Sequence, residues 1–217
     1  GNSWQLLQQA KEALVPQLML IEGDEQAWIK KLVDEYYRPL LSANSVAEGF
    51  RILQQFRFLS ATRKGDVGVE QLNRLIENML NPTLNSQMDD KKQLFHAKPI
   101  MISENDYALG LYNGDIGLIW KNESGHLMAV FEQQEGEYNY ILPSRLPKHE
   151  TVYAMTIHKT QGSEFAHVAM LLPTKSDNQL LTRELLYTGI TRAKKQLTIQ
   201  SKKAVWFQGV ESQVIRH

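Results

Sequence analysis

Apolar residues recur at helical spacing from Ser3 to about Leu41, with Trp28, Ile29, Leu32, Val33, Tyr36 and Leu40 on one stripe behind Glu22-Gly23-Asp24, which can cap a helix start. A second helix is expected over Ser45 to Gln55. The run Phe56 to Ala61 then reads as a short buried strand, followed by a polar loop at Thr62-Arg63-Lys64-Gly65 and an amphipathic helix carrying Val69, Leu72, Leu75 and Met79. Strand, loop and helix open an α/β unit, in which ligands sit at the carboxyl ends of the strands. Asn81 to Lys92, polar and broken by Pro82, reads as a flexible loop.

Between Phe95 and Lys148 the period shortens. Pro99 to Ser103, Asp115 to Lys121, His126 to Glu132 and Glu137 to Leu142 read as strands, separated by turns at Asn113-Gly114, Ser124-Gly125 and Glu135-Gly136. No helix-sized apolar stripe interrupts them, so a small all-β unit is expected, a barrel of the SH3-like kind. From Thr151 the α/β texture returns: strands at Val152 to Ile157 and His167 to Leu172, a helix over Thr182 to Ala193, and a last strand at Gln196 to Gln200. The β unit is therefore expected to be an insertion within one α/β domain.

Composition adds limits. The 217 residues suffice for one ordinary domain with an insertion, or for two small ones. The chain opens Gly1-Asn2-Ser3 without Met, which reads as a piece cut from a longer protein. It has no cysteine, which excludes disulfides and thiolate metal sites. No apolar run of about eighteen residues and no signal segment is present, so a soluble cytoplasmic protein without a membrane partner is expected. Formal charge is zero, but 151–217 hold nine Lys or Arg against four acids, whereas 96–150 hold four against eight. The basic excess is either a solvated face or a surface for phosphate-bearing partners.

The densest chemistry lies in Thr156 to Phe165, TIHKTQGSEF, and in Leu185 to Leu197, LLYTGITRAKKQL. Around Gly162 crowd Thr156, His158, Lys159, Thr160, Gln161, Ser163 and Glu164, groups able to hold phosphate oxygens or simply to form a polar turn. His158 has no partner at metal-ligand spacing, so no metal site is expected. Arg192 is expected on a helix whose Leu185, Leu186 and Ile190 face a core. A guanidinium so placed either grips a phosphate bidentately or forms a surface salt bridge. A phosphate-cradling loop of the form G-x-x-x-x-G-K-[ST] is absent, since none of the thirteen glycines opens one. Nor does an apolar strand end in an Asp-Glu pair suited to Mg²⁺. Whatever this chain contributes to nucleotide chemistry, it contributes half a site, and spacing alone does not choose between the two readings.

TIHKTQGSEF and LLYTGITRAKKQLTI resemble motifs V and VI of superfamily 1 helicases, most closely those of the RecD family, the alpha chains of exodeoxyribonuclease V. FRFLSATRKGDVGVEQLN, ENDYALGLYNGDIG and LPSRLPKHETVYAMTIHKTQGSEF are similar to the segments that precede motif V in that family. The resemblance covers about Phe56 to Gln200 and is weaker over Ser3 to Gln55. It implies an α/β fold, the second RecA-like motor domain of a P-loop NTPase-type helicase, with an inserted small SH3-like β-barrel. The implied bounds are 1–55 for a helical lead-in, 56–94 and 149–217 for the motor domain, and 95–148 for the insert.

The same resemblance implies roles residue by residue. Arg192 matches the motif VI arginine on the γ-phosphate. Gln161 and Gly162 match the γ-phosphate-proximal part of motif V, and Glu164 the ribose-proximal acid. Arg63 matches an arginine kept before the β insert, and Tyr187, Thr188 and Thr191 are supporting positions, so Arg63 and Tyr187 join the nucleotide-binding set. Thr156 and His158, with Lys159 and Thr160, match the DNA-backbone side. Gly189 stands where alanine is usual, which loosens a helix by up to about 1 kcal/mol. Asn105-Asp106-Tyr107 and Asn113-Gly114-Asp115 also match, and read as turn chemistry.

What the family implies is ATP-driven, 5′-to-3′ movement on single-stranded DNA, with ATP and Mg²⁺ in the full-length protein and neither bound by this piece alone. The implied partners are single-stranded DNA, the first RecA-like domain of the same subunit, and the beta and gamma chains of exodeoxyribonuclease V. Two other readings stay open: a non-catalytic DNA-binding or assembly module, and a piece of another superfamily 1 helicase, such as a stand-alone RecD-like enzyme or a conjugative relaxase-helicase.

Overall fold

The computed structural model describes residues 17–21, 25–65, 67–82, 93–173, 181–201 and 209–211. The expected cap at Glu22-Gly23-Asp24, most of the loop over Asn81 to Lys92, and the helical reading of 3–16 lie outside the described residues. In chain order the elements are β1 (Gln17–Ile21), α1 (Glu25–Leu32), a π turn and a 3-10 turn (Val33–Tyr37, Arg38–Ser42), α2 (Val46–Gln55), β2 (Phe56–Ser60) and α3 (Val69–Leu80). There follow β3 (Pro99–Ile102), β4 (Ile116–Lys121), β5 (Leu127–Gln134), β6 (Glu137–Ile141), β7 (His149–Thr151), β8 (Ala154–Thr156), β9 (Phe165–Leu171), α4 (Arg183–Ile190) and β10 (Ala193–Gln200).

These elements form two compact units: the described residues of Gly1–Lys30, Gln54–Leu75 and Ala154–His217, and those of Lys31–Leu53 and Ile76–Tyr153. The first is an α/β unit. Its sheet is wholly parallel, in the order β1-β10-β9-β2-β8. Central parallel strands are covered on both faces and so read as continuous apolar runs rather than alternating ones. Accordingly all five residues of β2 are buried, as are Val168 to Leu171 of β9. Phe56 and Phe58 meet edge to face at 4.8 Å, and Trp28 packs on Phe58 at 6.3 Å. Buried Arg57 lays its guanidinium over the Phe165 ring at 4.9 Å.

One expectation fails here: 17–21 form a strand, not part of a long helix. Pro16 removes an amide from a helical ladder, and the short apolar run Leu18 to Ile21 fits a strand as readily as a helix, so periodicity alone could not separate them. Pairing with β10 decided it.

The second unit is an antiparallel sheet in the order β6-β5-β4-β3-β7, with the helical turns of 31–53 belonging to the same unit. Ile100, Ile102, Leu111, Ile119, Ala129, Phe131 and Ile141 build its core. The polar triplets expected to shape turns do so: Asp106 Oδ1 accepts from Leu109 N at 3.0 Å, Asn105 Oδ1 from Asn113 N at 2.8 Å, and Asp115 Oδ2 from Tyr112 N at 2.9 Å. A buried ion pair, Lys98 Nζ to Glu77 Oε1 at 2.9 Å, sits in this unit. Lys98 also donates to the Gln93 carbonyl at 2.8 Å.

Candidate functional site

The parallel register fixes where the candidate residues leave the sheet. Ser60 is level with Thr156 and Leu171, and Leu171 with Gln200, so these mark the carboxyl edge. Phe165 is level with Ala193 at the amino edge. Arg63 follows β2 at the carboxyl edge, whereas Arg192 precedes β10 at the amino edge. Residues 157–164 run from the carboxyl end of β8 to the amino end of β9, linking the two edges.

This connection starts from a braced strand. β8 is an edge strand, and Asn73 of α3 occupies its open side: Ala154 N donates to Asn73 Oδ1 at 2.8 Å, and Asn73 Nδ2 donates to Ala154 O at 3.1 Å. A single amide side chain thereby does what a neighbouring strand would do. The expected strand over Val152 to Ile157 is shorter than the pattern suggested, because His149–Thr151 pair with β3 and Ile157 already turns into a 3-10 helix, Ile157–Thr160.

Within that helix Thr160 is fully buried, and its hydroxyl donates to Ile157 O at 2.6 Å, closing the turn rather than facing solvent. Thr156 is also buried, with its backbone in register with Ser60. His158 and Lys159 are exposed. Gln161, Gly162 and Glu164 are exposed as well, and Gly162 has a φ of +82°, the left-handed region in which glycine escapes the Cβ penalty. A Cβ there would meet nothing within 4 Å, so the backbone is open to approach. Glu164 faces Lys194 at 3.4 Å, both more than half exposed, an arrangement worth little in stability.

α4 begins at Thr182, whose hydroxyl accepts from Leu185 N at 3.2 Å, an N-cap of the ordinary kind. Its buried Leu185 and Leu186 face the core, and Tyr187 stands 69% exposed. Gly189 brings the helix close to β9: an ideal Cβ would lie 2.7 Å from Met170 Sδ and 3.3 Å from Ile157 Cδ1. The helix stops at Ile190, three residues before the sequence pattern suggested, because β10 pairs from Ala193 onward.

Arg192 therefore lies on the turn between helix and strand. Its Nε donates to Thr188 O at 3.1 Å, Nη1 to Ser163 O at 3.2 Å and Nη2 to Thr191 Oγ1 at 3.1 Å. Phe165 N returns a bond to Arg192 O at 2.8 Å. Every acceptor on the guanidinium is neutral. Among the described residues no acid pairs with it, so the salt-bridge alternative is not what this geometry contains.

Arg192, Ser163, Glu164, Thr188 and Thr191 thus come together, and Arg63 does not join them at this edge. Arg63 lies 3.7 Å from Glu70. The residues that sequence reasoning overlooked are Asn73 and the Ser163 carbonyl. A buried asparagine beside Leu72 on an amphipathic helix was the available signal for the first; the second is backbone and leaves none. No group of three or more His, Asp or Glu able to hold a metal ion occurs among the described residues. Among them, too, no helix is long and apolar enough to cross a membrane.

Comparison with known proteins finds relatives over most of this chain. The UvrD-like helicase C-terminal domain family matches residues 151–199, the stretch that contains the site. The RecBCD enzyme subunit RecD of Haemophilus influenzae is 38% identical over 86% of this chain, and that of Mycolicibacterium smegmatis 37% identical over 78%. The ATP-dependent RecD2 DNA helicase of Deinococcus radiodurans is 27% identical over 86%. The chain spans 29% of the length of the first two relatives and 26% of the third. A solved Pif1 helicase from Bacteroides overlaps 88% of this chain and 52% of its own at a TM-score of 0.45 and 15% identity, too weak a likeness to carry weight. The chain resembles a C-terminal fragment of the RecD family, its residues 151–199 matching the UvrD-like helicase C-terminal domain.

Proposed function

We propose that this chain is the second RecA-like domain of an ATP-dependent DNA helicase subunit of exodeoxyribonuclease V, which moves 5′ to 3′ on single-stranded DNA in the repair and recombination of double-strand breaks. On this reading 56–94 and 149–217 form the motor domain, 95–148 an inserted SH3-like module, and 1–55 a helical lead-in. The protein works in the cytoplasm beside the beta and gamma chains of the enzyme.

The observation that carries the reading is Arg192: a half-buried guanidinium held by three neutral oxygens, with no acid to neutralise it among the described residues. Such a group is preorganised for an anion that comes from elsewhere. The open backbone at Gly162 nearby supports the same fit.

The first RecA-like domain of the longer protein holds ATP and Mg²⁺, since this chain lacks the phosphate-cradling loop. When bound, ATP supplies the phosphoryl transfer that drives the cycle. Arg192 then stabilises charge on the transferring group as the domains close. Gln161, Gly162 and Glu164 line the nucleotide side, with Tyr187 at its margin, whereas Arg63, at the opposite edge of the sheet, lies outside it. Exposed His158 and Lys159 face the DNA backbone, and buried Thr160 closes their turn from beneath, after buried Thr156 at the end of β8. Contacts to phosphates and sugars keep such movement independent of sequence.

In the full-length subunit, Arg192→Ala should lower DNA-stimulated ATPase by about a thousandfold or more, the range of an arginine finger, while single-strand affinity changes little. Survival of the ATPase would refute the assignment. The isolated chain should show no turnover, and robust DNA-stimulated hydrolysis by it alone would overturn the half-site reading.

A further inference from the structure

The end of α4 carries a closed hydrogen-bond ring. Thr191 Oγ1 donates to Thr188 O at 3.0 Å and accepts from Arg192 Nη2 at 3.1 Å, while Arg192 Nε donates to that same Thr188 O at 3.1 Å. Thr188 O is one of the terminal carbonyls that a helix leaves without an amide four residues on. Capping it needs only the Thr191 hydroxyl or Arg192 Nε. The bond from Nη2 to the Thr191 hydroxyl adds nothing to the cap; it fixes the far end of the guanidinium plane.

Ser163 O holds Nη1 from the loop side at 3.2 Å. Among the described residues three of the five guanidinium N–H groups are thus engaged, leaving one on each terminal nitrogen. Two N–H groups on neighbouring nitrogens form the fork that phosphate oxygens accept bidentately.

We propose that Thr191 is a positioning residue for Arg192: its hydroxyl, bonded to Nη2 and anchored on Thr188 O, sets the plane in which the remaining N–H groups meet a phosphoryl group presented by a partner domain. This rests on Arg192 acting as proposed above. Valine matches threonine in shape but can neither accept from Nη2 nor donate to Thr188 O, whereas serine keeps both bonds.

The test compares Thr191→Val, Thr191→Ser and Arg192→Ala in the full-length subunit, measuring ATPase kcat and KM with saturating single-stranded DNA, strand affinity and thermal unfolding. Thr191→Val should lower kcat about tenfold with KM and strand affinity within about twofold, and Thr191→Ser should restore most of kcat. Should Thr191→Val not fold, Thr191→Ala is judged by the same criteria. Wild-type kcat in the variant lacking the hydroxyl, or equal impairment of the serine variant, overturns the positioning role. An inactive Arg192→Ala beside a fully active Thr191→Val overturns this inference alone, whereas an active Arg192→Ala removes the reading beneath it as well.

Discussion

Acidification should unfasten the α/β unit through one residue, His167. It lies on β9, 3% exposed, with Nε2 2.7 Å from Thr198 Oγ1 on β10 and its ring edge to face with Phe56 at 5.0 Å. Burial lowers its pKa from 6.5 to about 4. The unfolded chain takes up the proton first, so between these two values it binds more protons than the folded chain, and stability falls as pH falls. Above pH 6.5 both states are neutral and the effect vanishes; below pH 4 both are charged and the loss stops growing. At about 1.4 kcal/mol per unit, the full loss is about 3 kcal/mol. Urea unfolding of the chain and of His167→Gln, followed by circular dichroism from pH 4 to pH 8, isolates this contribution, because the other titrating groups cancel in the difference. The stability difference should shift by about 3 kcal/mol in favour of the variant across that window. A difference independent of pH, or an imidazole NMR titration of His167 centred near 6.5, would refute the reasoning.

Two further predictions concern packing. Asn73→Ala should cost about 1–3 kcal/mol in urea unfolding, because it strands both backbone groups of Ala154. Asn73→Asp should also destabilise, since a carboxylate cannot donate to Ala154 O; wild-type stability in both would show that the edge of β8 needs no brace. Lys98→Met should cost about 3–5 kcal/mol by leaving Glu77 charged and buried. Adding Glu77→Leu should recover most of that loss, and a double variant no more stable than the single one would contradict the account.

Much of the α/β unit was legible in the sequence because its strands are short apolar runs bounded by polar or proline residues. The strands expected at Phe56 to Ala61 and His167 to Leu172 lie at Phe56–Ser60 and Phe165–Leu171, and the hairpin strands of the β-rich unit also fell close to where the pattern placed them. The pattern misled where a short apolar run suits either element, as at 17–21, and where pairing ended a helix early, as before Arg192. Local sequence carries no information about which strand lies alongside.

The sequence by itself determined which chemical groups are available: a guanidinium at Arg192 among hydroxyls, a glycine at 162, and no phosphate-cradling loop anywhere in the chain. Those are properties of residue type and spacing. Only the tertiary structure decided how the groups are used. It brought Ser163 O from one loop and Thr188 O from a helix end, 29 and 4 residues from Arg192, onto one guanidinium, and it left Arg63 at the opposite edge of the sheet. The reason is that hydrogen-bond acceptors on the backbone are the same at every position, so their convergence depends on strand register and helix packing.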